Sequence, residues 1–302
     1  MAEGSKSRVA LVRGEDRYRN IRRALELLTD EVDLSDKKRI VVKPNFVTVH
    51  RRLAATHREA VRAVLAFLRE RGAREITLAE GPALGSLGLG LWRYGYRSLV
   101  DEFGLRVVNL NKDETVEVEL LNRQLQPMRL PVARTIVESD FRVSVGPPKT
   151  HDTVIVTLSL KNMAVGSIPG SKKGHIHQGY PGINLNLYRM AYHVAPHLAV
   201  LDGFQAMEGN GPVSGRPVDW RIAIASTDFL AADGLALHLM GFKLEDIGYL
   251  YYCQLKGLGH GRLEEMEIVG NVEPEEVWRQ FVRHSEYERQ LAWRIPDFER
   301  YL

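Results

Sequence analysis

Apolar and polar positions along the chain switch repeatedly between a two-residue and a helical period, and these switches predict the order β-α-β-α-β-α-β from Arg8 to Leu110. Arg8 to Val12 alternates as a strand, and Tyr18 to Thr29 has helical spacing through Ile21, Leu25 and Leu28. Lys38 to Val42 is the next strand. It delivers Lys43-Pro44-Asn45 at its carboxyl end, where Pro44 stops the ladder. The following helix has the sharpest signals: Thr56 and Glu59 match a capping box, Ala60, Val61, Val64, Leu65 and Leu68 form an apolar stripe, and Gly72 suits the position after the C-cap. Glu75 to Ala79 predicts a strand ending in Glu80-Gly81-Pro82, Trp92 to Phe103 a helix and Arg106 to Leu110 a strand. Such an order argues an α/β fold with a mainly parallel, doubly wound sheet.

From Asn111 the pattern changes. Thr115 to Leu120 alternates, Pro127 and Pro131 punctuate, and a helical turn from Thr135 leads into a strand at Phe141 to Val145, which predicts an antiparallel excursion. A long loop is expected from Ser167 to Ile183, then a helix at Asn184 to Val194 and a strand at His197 to Leu201. Asp202 to Pro217 reads as a second Gly/Pro-rich loop, holding Glu208. Strands at Arg221 to Ala225 and Met266 to Val269 and helices at Thr227 to Met240, Leu244 to Leu255 and Pro274 to Phe281 complete the pattern. The expected organisation is a single domain over residues 1–302. It has a doubly wound N-terminal lobe to about 110, a smaller mixed α/β lobe over about 111–283 and a docking tail over about 284–302. Leu291, Trp293, Ile295 and Phe298 in that tail call for an apolar surface, on the chain's own body or in a homodimer.

The densest chemistry lies between Gly146 and Gly174, where Lys149, His151, Ser159, Lys161, Asn162, Lys172 and Lys173 stand among glycines and apolar residues. Ionisable groups drawn into a buried region need partners or a ligand, so this stretch is read as a site. Lys43-Pro44-Asn45, Glu80-Gly81, Pro148-Lys149-Thr150-His151, Leu160-Lys161-Asn162-Met163 and Leu201-Asp202 through Glu208 to Pro212 follow one another in that order. Together they resemble the family catalogued as domain of unknown function 362, from about Val9 to about Gly270. The resemblance implies a compact α/β domain and no particular reaction. Many relatives carry a ferredoxin-like cysteine segment, from which this chain departs. The family is distantly similar to the lactate racemase family, an analogy at the level of fold.

Composition narrows the classes of function. With 302 residues, 44% of them hydrophobic, the chain can bury a large core. Forty-one basic against 38 acidic residues leave a net charge of +3, with both signs dispersed, which favours small anionic partners over nucleic acid. No stretch has the length and apolarity of a membrane span and the first residues lack an apolar h-region, so the expected location is the cytoplasm, without a membrane partner. Cys253 is the only cysteine, which excludes an iron–sulfur cluster held by this chain alone.

Lys43, Lys149 and Lys161 each fall beside a predicted strand end and, with Asn45, Asn162 and Lys172, are the expected anion-binding residues. Glu208, His151 and Lys161 are the candidate catalytic groups. His151, His175 and His177, with Glu80 and Asp202, form the candidate donor set for a divalent metal ion. No Gly-x-x-x-x-Gly-Lys-[Ser/Thr] loop and no Gly-x-Ser-x-Gly elbow is present. The expected function is an enzyme that works on a small carboxylated or phosphorylated metabolite by acid/base chemistry of isomerase or lyase type. A metal-dependent hydrolase or phosphoryl-transfer enzyme is one alternative. A non-catalytic protein that binds an anion or docks a redox partner is another.

Overall fold

The computed structural model describes residues 6–302. Its strands are β1 (Ser7–Arg13), β2 (Ile40–Lys43), β3 (Ile76–Glu80), β4 (Arg106–Asn109), β5 (Thr115–Leu121) and β6 (Pro127–Ala133). They continue as β7 (Phe141–Gly146), β8 (Lys149–His151), β9 (Ile155–Thr157), β10 (Leu198–Glu208), β11 (Arg216–Ser226) and β12 (Met266–Gly270). One sheet runs in the order β12-β1-β11-β10-β7-β2-β3-β4, with β8 attached to β10 and β9 to β8, while β5 and β6 form a separate hairpin. From β10 to β4 every neighbouring pair is parallel. β11 is antiparallel to both β10 and β1, and β12 is again parallel to β1.

The fold is therefore mixed α/β with a large, mostly parallel sheet, as the β-α alternation predicts. The expected lobes share this sheet: β7, β10, β11 and β12 all come from beyond Asn111, and only the β5–β6 hairpin stands apart from it. Both faces are covered, which is why the central strands are apolar at consecutive positions rather than alternately. Val41 points into one core with Leu160, Met163 and Leu230, whereas Ile40 and Val42 point into the other with Ile21, Val61 and Val64. The second core is closed by the helices Arg17–Glu26 and Arg58–Glu70. The first lies under the helices Ser159–Gly166, Gly179–Val194, Phe229–Leu239 and Gly248–Leu255.

Several local expectations change on folding. Thr56 does not cap the second helix. His57 is its N-cap, accepting from the Glu59 N–H through Nδ1, while Thr56 Oγ1 accepts from Asn45 N at 2.7 Å and donates to Val145 O at 2.8 Å. Thr56 thus clamps the loop after β2 onto the end of β7. Gly72 does occupy the predicted place, with φ +88° and a pair of backbone bonds, Ala73 N to Leu68 O and Gly72 N to Arg69 O, that close the helix. The helix expected at Trp92 to Phe103 is two, Leu87–Arg93 and Arg97–Phe103, parted at Gly95. The loop expected from Ser167 is partly ordered as a 3-10 segment, Gly170–Ile176, and the next helix begins early, at Gly179. Past Val277 the helix expected to reach Phe281 gives way to extended chain.

The largest difference is at Asp202 to Glu208. This stretch is not a loop but the second half of β10, paired with β11 across a register shift between Gly203 and Gln205. Gly203 is needed there for space: a Cβ would meet Ile222 Cγ1 at 2.6 Å. An Asp-Gly pair read as a turn is here a bulge. The tail docks on the chain's own body. Tyr287, Gln290 and Trp293 are buried, and Trp293 packs edge-on against Tyr252 and donates from Nε1 to Asp246 O at 2.8 Å. Among the described residues no helix is long and apolar enough to cross a membrane.

A lysine-rich candidate active site

β7, β2 and β3 lie side by side, so their carboxyl ends bring Gly146, Lys43 and Glu80 to one edge of the sheet, where ligands of open α/β sheets bind. The helix Ser159–Gly166 adds Lys161 and Asn162 from its first turn. Its amino end is held by Asp233, which accepts from Ser159 N at 2.8 Å and Leu160 N at 3.1 Å. Burial of that carboxylate pushes it up to about 7, against the pull of the two amides. A hairpin, β8–β9, supplies His151 and Thr157. These elements enclose a cavity of ≈ 190 Å³ lined by Lys43, Asn45, Glu80, His151, Thr157, Lys161, Asn162, Lys173 and His177 together with apolar and glycine residues. At roughly 30 Å³ per water, that is room for about six water molecules or one small metabolite. A larger hollow of ≈ 720 Å³, lined by Arg39, Arg74, Arg106 and Glu138, lies at the amino ends of β2 and β3.

Counting donors separates the amines that shape the cavity from the one that faces it. An ammonium has three N–H groups. Lys43, fully buried, uses all of them, on Glu80 Oε2 and Asn162 Oδ1 at 2.8 Å and on Pro44 O at 2.9 Å. Lys173 is likewise saturated, by the carbonyls of Val165, Gly166 and Ile168 at the end of the helix that carries Lys161. Behind the lining, Lys149 donates to Ala54 O at 3.0 Å and to Asn45 Oδ1. Asn162 accepts from Lys43 and Asn45 and donates to Ser144 Oγ at 3.0 Å. Its expected part as an oxyanion donor is thereby replaced by that of a strut. Lys161 differs: its one partner among the described residues is His151 Nε2, at 2.9 Å, which leaves two N–H groups for a ligand.

The Lys161–His151 contact has two proton arrangements. Nδ1 of His151 lies 3.0 Å from Thr153 N and also 3.0 Å from Asp152 Oδ1. When Nδ1 accepts the Thr153 N–H, the neutral ring carries its proton on Nε2 and donates it to a neutral Lys161 amine. When Nδ1 donates to Asp152, Nε2 accepts from the Lys161 ammonium. Removing one proton from the pair therefore switches the imidazole tautomer. Burial first, then Lys161, holds His151 well below its ordinary value, so the ring is neutral in both arrangements. Burial also lowers Lys161 to about 8, close enough to neutral pH for both arrangements to be populated.

Four buried amines, Lys43, Lys149, Lys161 and Lys173, surround a cavity whose single lining carboxylate is Glu80, already paired with Lys43. Desolvation is the main cause of their lowered values; Lys149 and Lys173 both come to about 7, with Lys43 adding repulsion to each. The linked effect on folding has a definite sign. Between about 7 and the unfolded value of 10.5 the unfolded chain binds more protons, so the penalty for burying these amines, full below about pH 7, is lifted as pH rises. Ligand-free protein is expected to gain stability from pH 7 to pH 9 in urea unfolding, and Lys149→Met is expected to flatten that slope. An unchanged slope in the variant would show that Lys149 is not the source.

Not every expected residue reaches the cavity. Lys172 is exposed, and the neighbouring Lys173 takes its place. Asp202, buried, pairs with the half-buried Arg17 at 3.0 Å, in a different hollow with His57 and Phe204. Glu208 is absent from the lining; it accepts from Val282 N at 3.0 Å and so ties the tail to the end of β10. His175 is exposed, whereas His177 stands at the mouth of the cavity. Of the expected metal donors, Glu80, His151 and His177 line the cavity while His175 and Asp202 do not, and among the described residues no three His, Cys, Asp or Glu side chains are grouped to hold a metal ion. Two residues gave no functional signal in the sequence. Thr157 reads as strand, yet its buried Oγ1 has no hydrogen-bond partner among the described residues. Gln290, from the tail, donates to His151 O at 2.9 Å and accepts from Ile155 N, holding the hairpin that carries His151.

Fold and site together define a mixed α/β protein with a lysine-rich cleft at the carboxyl ends of its parallel strands. The chain belongs to the family described as domain of unknown function 362, whose pattern matches residues 40–238. That span holds every cavity-lining residue; Gln290 lies outside it. The chain is similar to the thylakoid-associated protein sll1697 of Synechocystis sp., with 28% identity over 202 residues, 65% of this chain and 60% of that protein. It is also similar in structure to the lactate racemase apoprotein of Thermoanaerobacterium thermosaccharolyticum, with a TM-score of 0.51 and 14% identity over 76% of this chain and 57% of that one. At that identity the likeness shows a shared α/β fold. The chain spans less than two thirds of the length of either protein.

Proposed function

We propose that this chain is an enzyme that binds a small carboxylated or phosphorylated metabolite in the lysine-rich cleft and acts on it by proton transfer, with an isomerase or lyase outcome. The observation that carries this reading is the imbalance of charge: three buried amines line the cavity, with Lys149 behind them, against one lining carboxylate that is already paired. An anion in the cavity restores the balance, and Lys161 with its two unused N–H groups is the direct contact. Lys43, Lys149 and Lys173 supply field rather than hydrogen bonds. His151 is the general acid and base, because it touches Lys161, lines the cavity and stays neutral, while Asp152 and Thr153 set its tautomer. The acid/base role expected of Glu208 passes to His151. Lactate racemase is the name of the structural relative, and racemisation agrees in class with proton transfer beside a carboxylate.

Calorimetry and thermal shift with phosphate, sulfate and short carboxylates test the reading. Binding is expected to weaken as pH rises through about 8, because Lys161 loses its charge. Lys161→Met is expected to lower affinity by roughly 10-fold to 100-fold, the worth of a charge-assisted hydrogen bond. No stabilisation by any of these anions, or full affinity in Lys161→Met, would overturn it. Turnover is read as solvent deuterium entering the bound carboxylate, and His151→Ala is expected to slow it by about 100-fold or more.

A further inference from the structure

Lys161 is more than a cation in this cavity. Its amine lies 2.9 Å from a buried imidazole, has no carboxylate partner among the described residues, and looks into a space also lined by the unpartnered hydroxyl of Thr157. A lysine activated as a nucleophile needs these things: desolvation, neighbouring positive charge and an adjacent base. Lys149 provides the neighbouring charge, through its repulsion with Lys161, and each of the other three amines is held away from the same chemistry by its own partners. Lys43 and Lys173 have no free N–H, and Lys149 lies behind Asn45. Of the four amines, Lys161 alone touches an imidazole.

We propose that Lys161 forms an imine with the carbonyl of a short-chain 2-oxo acid, with His151 moving the protons. This rests on the anion-binding reading above and names its substrate class. The carboxylate of such an acid meets the positive field of the amines, and its adjacent carbonyl meets Lys161. The Lys161 lone pair attacks the carbonyl carbon, a C–N bond forms, and the C=O π pair moves onto oxygen, which takes the Nε2 proton of His151. Nε2 then accepts a proton from the new ammonium and returns it to the hydroxyl group. That group leaves as water while the nitrogen lone pair closes the C=N bond, and Nε2 takes back the remaining N–H proton, so the ring ends neutral as it began. Amine and ketone become imine and water, with no oxidant or reductant. Once protonated, the imine draws electrons from the carbon beside it, which makes that C–H acidic and supplies the driving force for isomerase or lyase chemistry. The Thr157 hydroxyl is placed to hold the departing water or the carboxylate.

Reductive trapping tests this on the full chain. The protein is incubated with pyruvate or glyoxylate and sodium cyanoborohydride, then read by intact mass and peptide mapping. The expected result is one reduced adduct per chain, at Lys161, formed at least about tenfold faster than on any exposed lysine. Lys161→Arg keeps the charge and is expected to lose the adduct. His151→Gln keeps the amine and is expected to slow trapping about 100-fold, which tests the idea even if the arginine variant does not fold. Adducts scattered over exposed lysines, no adduct with either acid, or an unchanged adduct in either variant overturn it. Phosphate or sulfate binding without an adduct leaves the anion site standing and removes the imine. Absence of both removes the two readings together.

Discussion

Glu80→Gln is expected to lower the free energy of unfolding by about 3 kcal/mol at pH 7, the low end of what breaking a buried ion pair costs. The carboxylate receives the Lys43 ammonium at 2.8 Å, with both side chains almost wholly buried. Glutamine keeps the shape but only one acceptor oxygen, whereas Glu80 accepts from Gly81 N on Oε1 at 2.9 Å and from Lys43 on Oε2, so the variant loses the charge and one of the two acceptors. Lys43 then has no anion within reach in a region that already holds Lys149 and Lys173. It must release its proton or remain charged in a low dielectric. Urea unfolding of the variant measures the effect. A double variant, Lys43→Met with Glu80→Leu, removes both charges and is expected to regain most of the loss, since the desolvation penalty goes with the pair. A loss below about 1 kcal/mol in the single variant would mean that solvent screens the pair.

That dependence explains what could and could not be read from the sequence. The α/β order was legible because each of β1 to β4 announces itself by apolar periodicity, and the Pro44 and Gly81 breaks mark where strands end. That Lys43, Asn45, Glu80, His151, Lys161, Asn162 and His177 would be brought to one cavity was legible in the main because strand-end chemistry converges in parallel sheets. Their division of labour was not legible. Lys172 and Lys173 are chemically identical in the sequence, and only the turn of the 3-10 segment buries the second. Asp202 and Glu208 read from the sequence as part of a glycine-rich loop, because a bulge residue in β10 carries the same signature as a turn. Gln290 contacts His151 across 139 residues of chain, a separation that no local pattern encodes. Donor saturation at Lys43 and Asn162 is a property of the folded network, which is why two expected ligand contacts proved to be struts.

Gly166→Ala is expected to be as damaging as loss of the ion pair, and for a linked reason. A Cβ at position 166 would stand 1.9 Å from Lys43 Cε and 2.3 Å from its Nζ. A lysine tip ordinarily swings aside at little cost. Here it is held by three hydrogen bonds, one of them to Glu80, so moving it breaks the network that supports Asn162 and the floor of the cavity. Alanine in a helix is worth about 0.5–1 kcal/mol over glycine, and less at a final helical residue, as Gly166 is. Overpacking and an unpaired buried charge cost about 3 kcal/mol together, so the steric term wins. Chemical denaturation of Gly166→Ala should show that net loss, with anion binding weakened alongside it. The coupling is what distinguishes this cause from a generic helix defect. In a Lys43→Met, Glu80→Leu background the added methyl meets an uncharged tip that no hydrogen bond holds in place and that can swing aside, and the penalty should shrink to about 1 kcal/mol or less. Equal penalties in both backgrounds would show that Gly166 is required by its own backbone rather than by the lysine that packs against it.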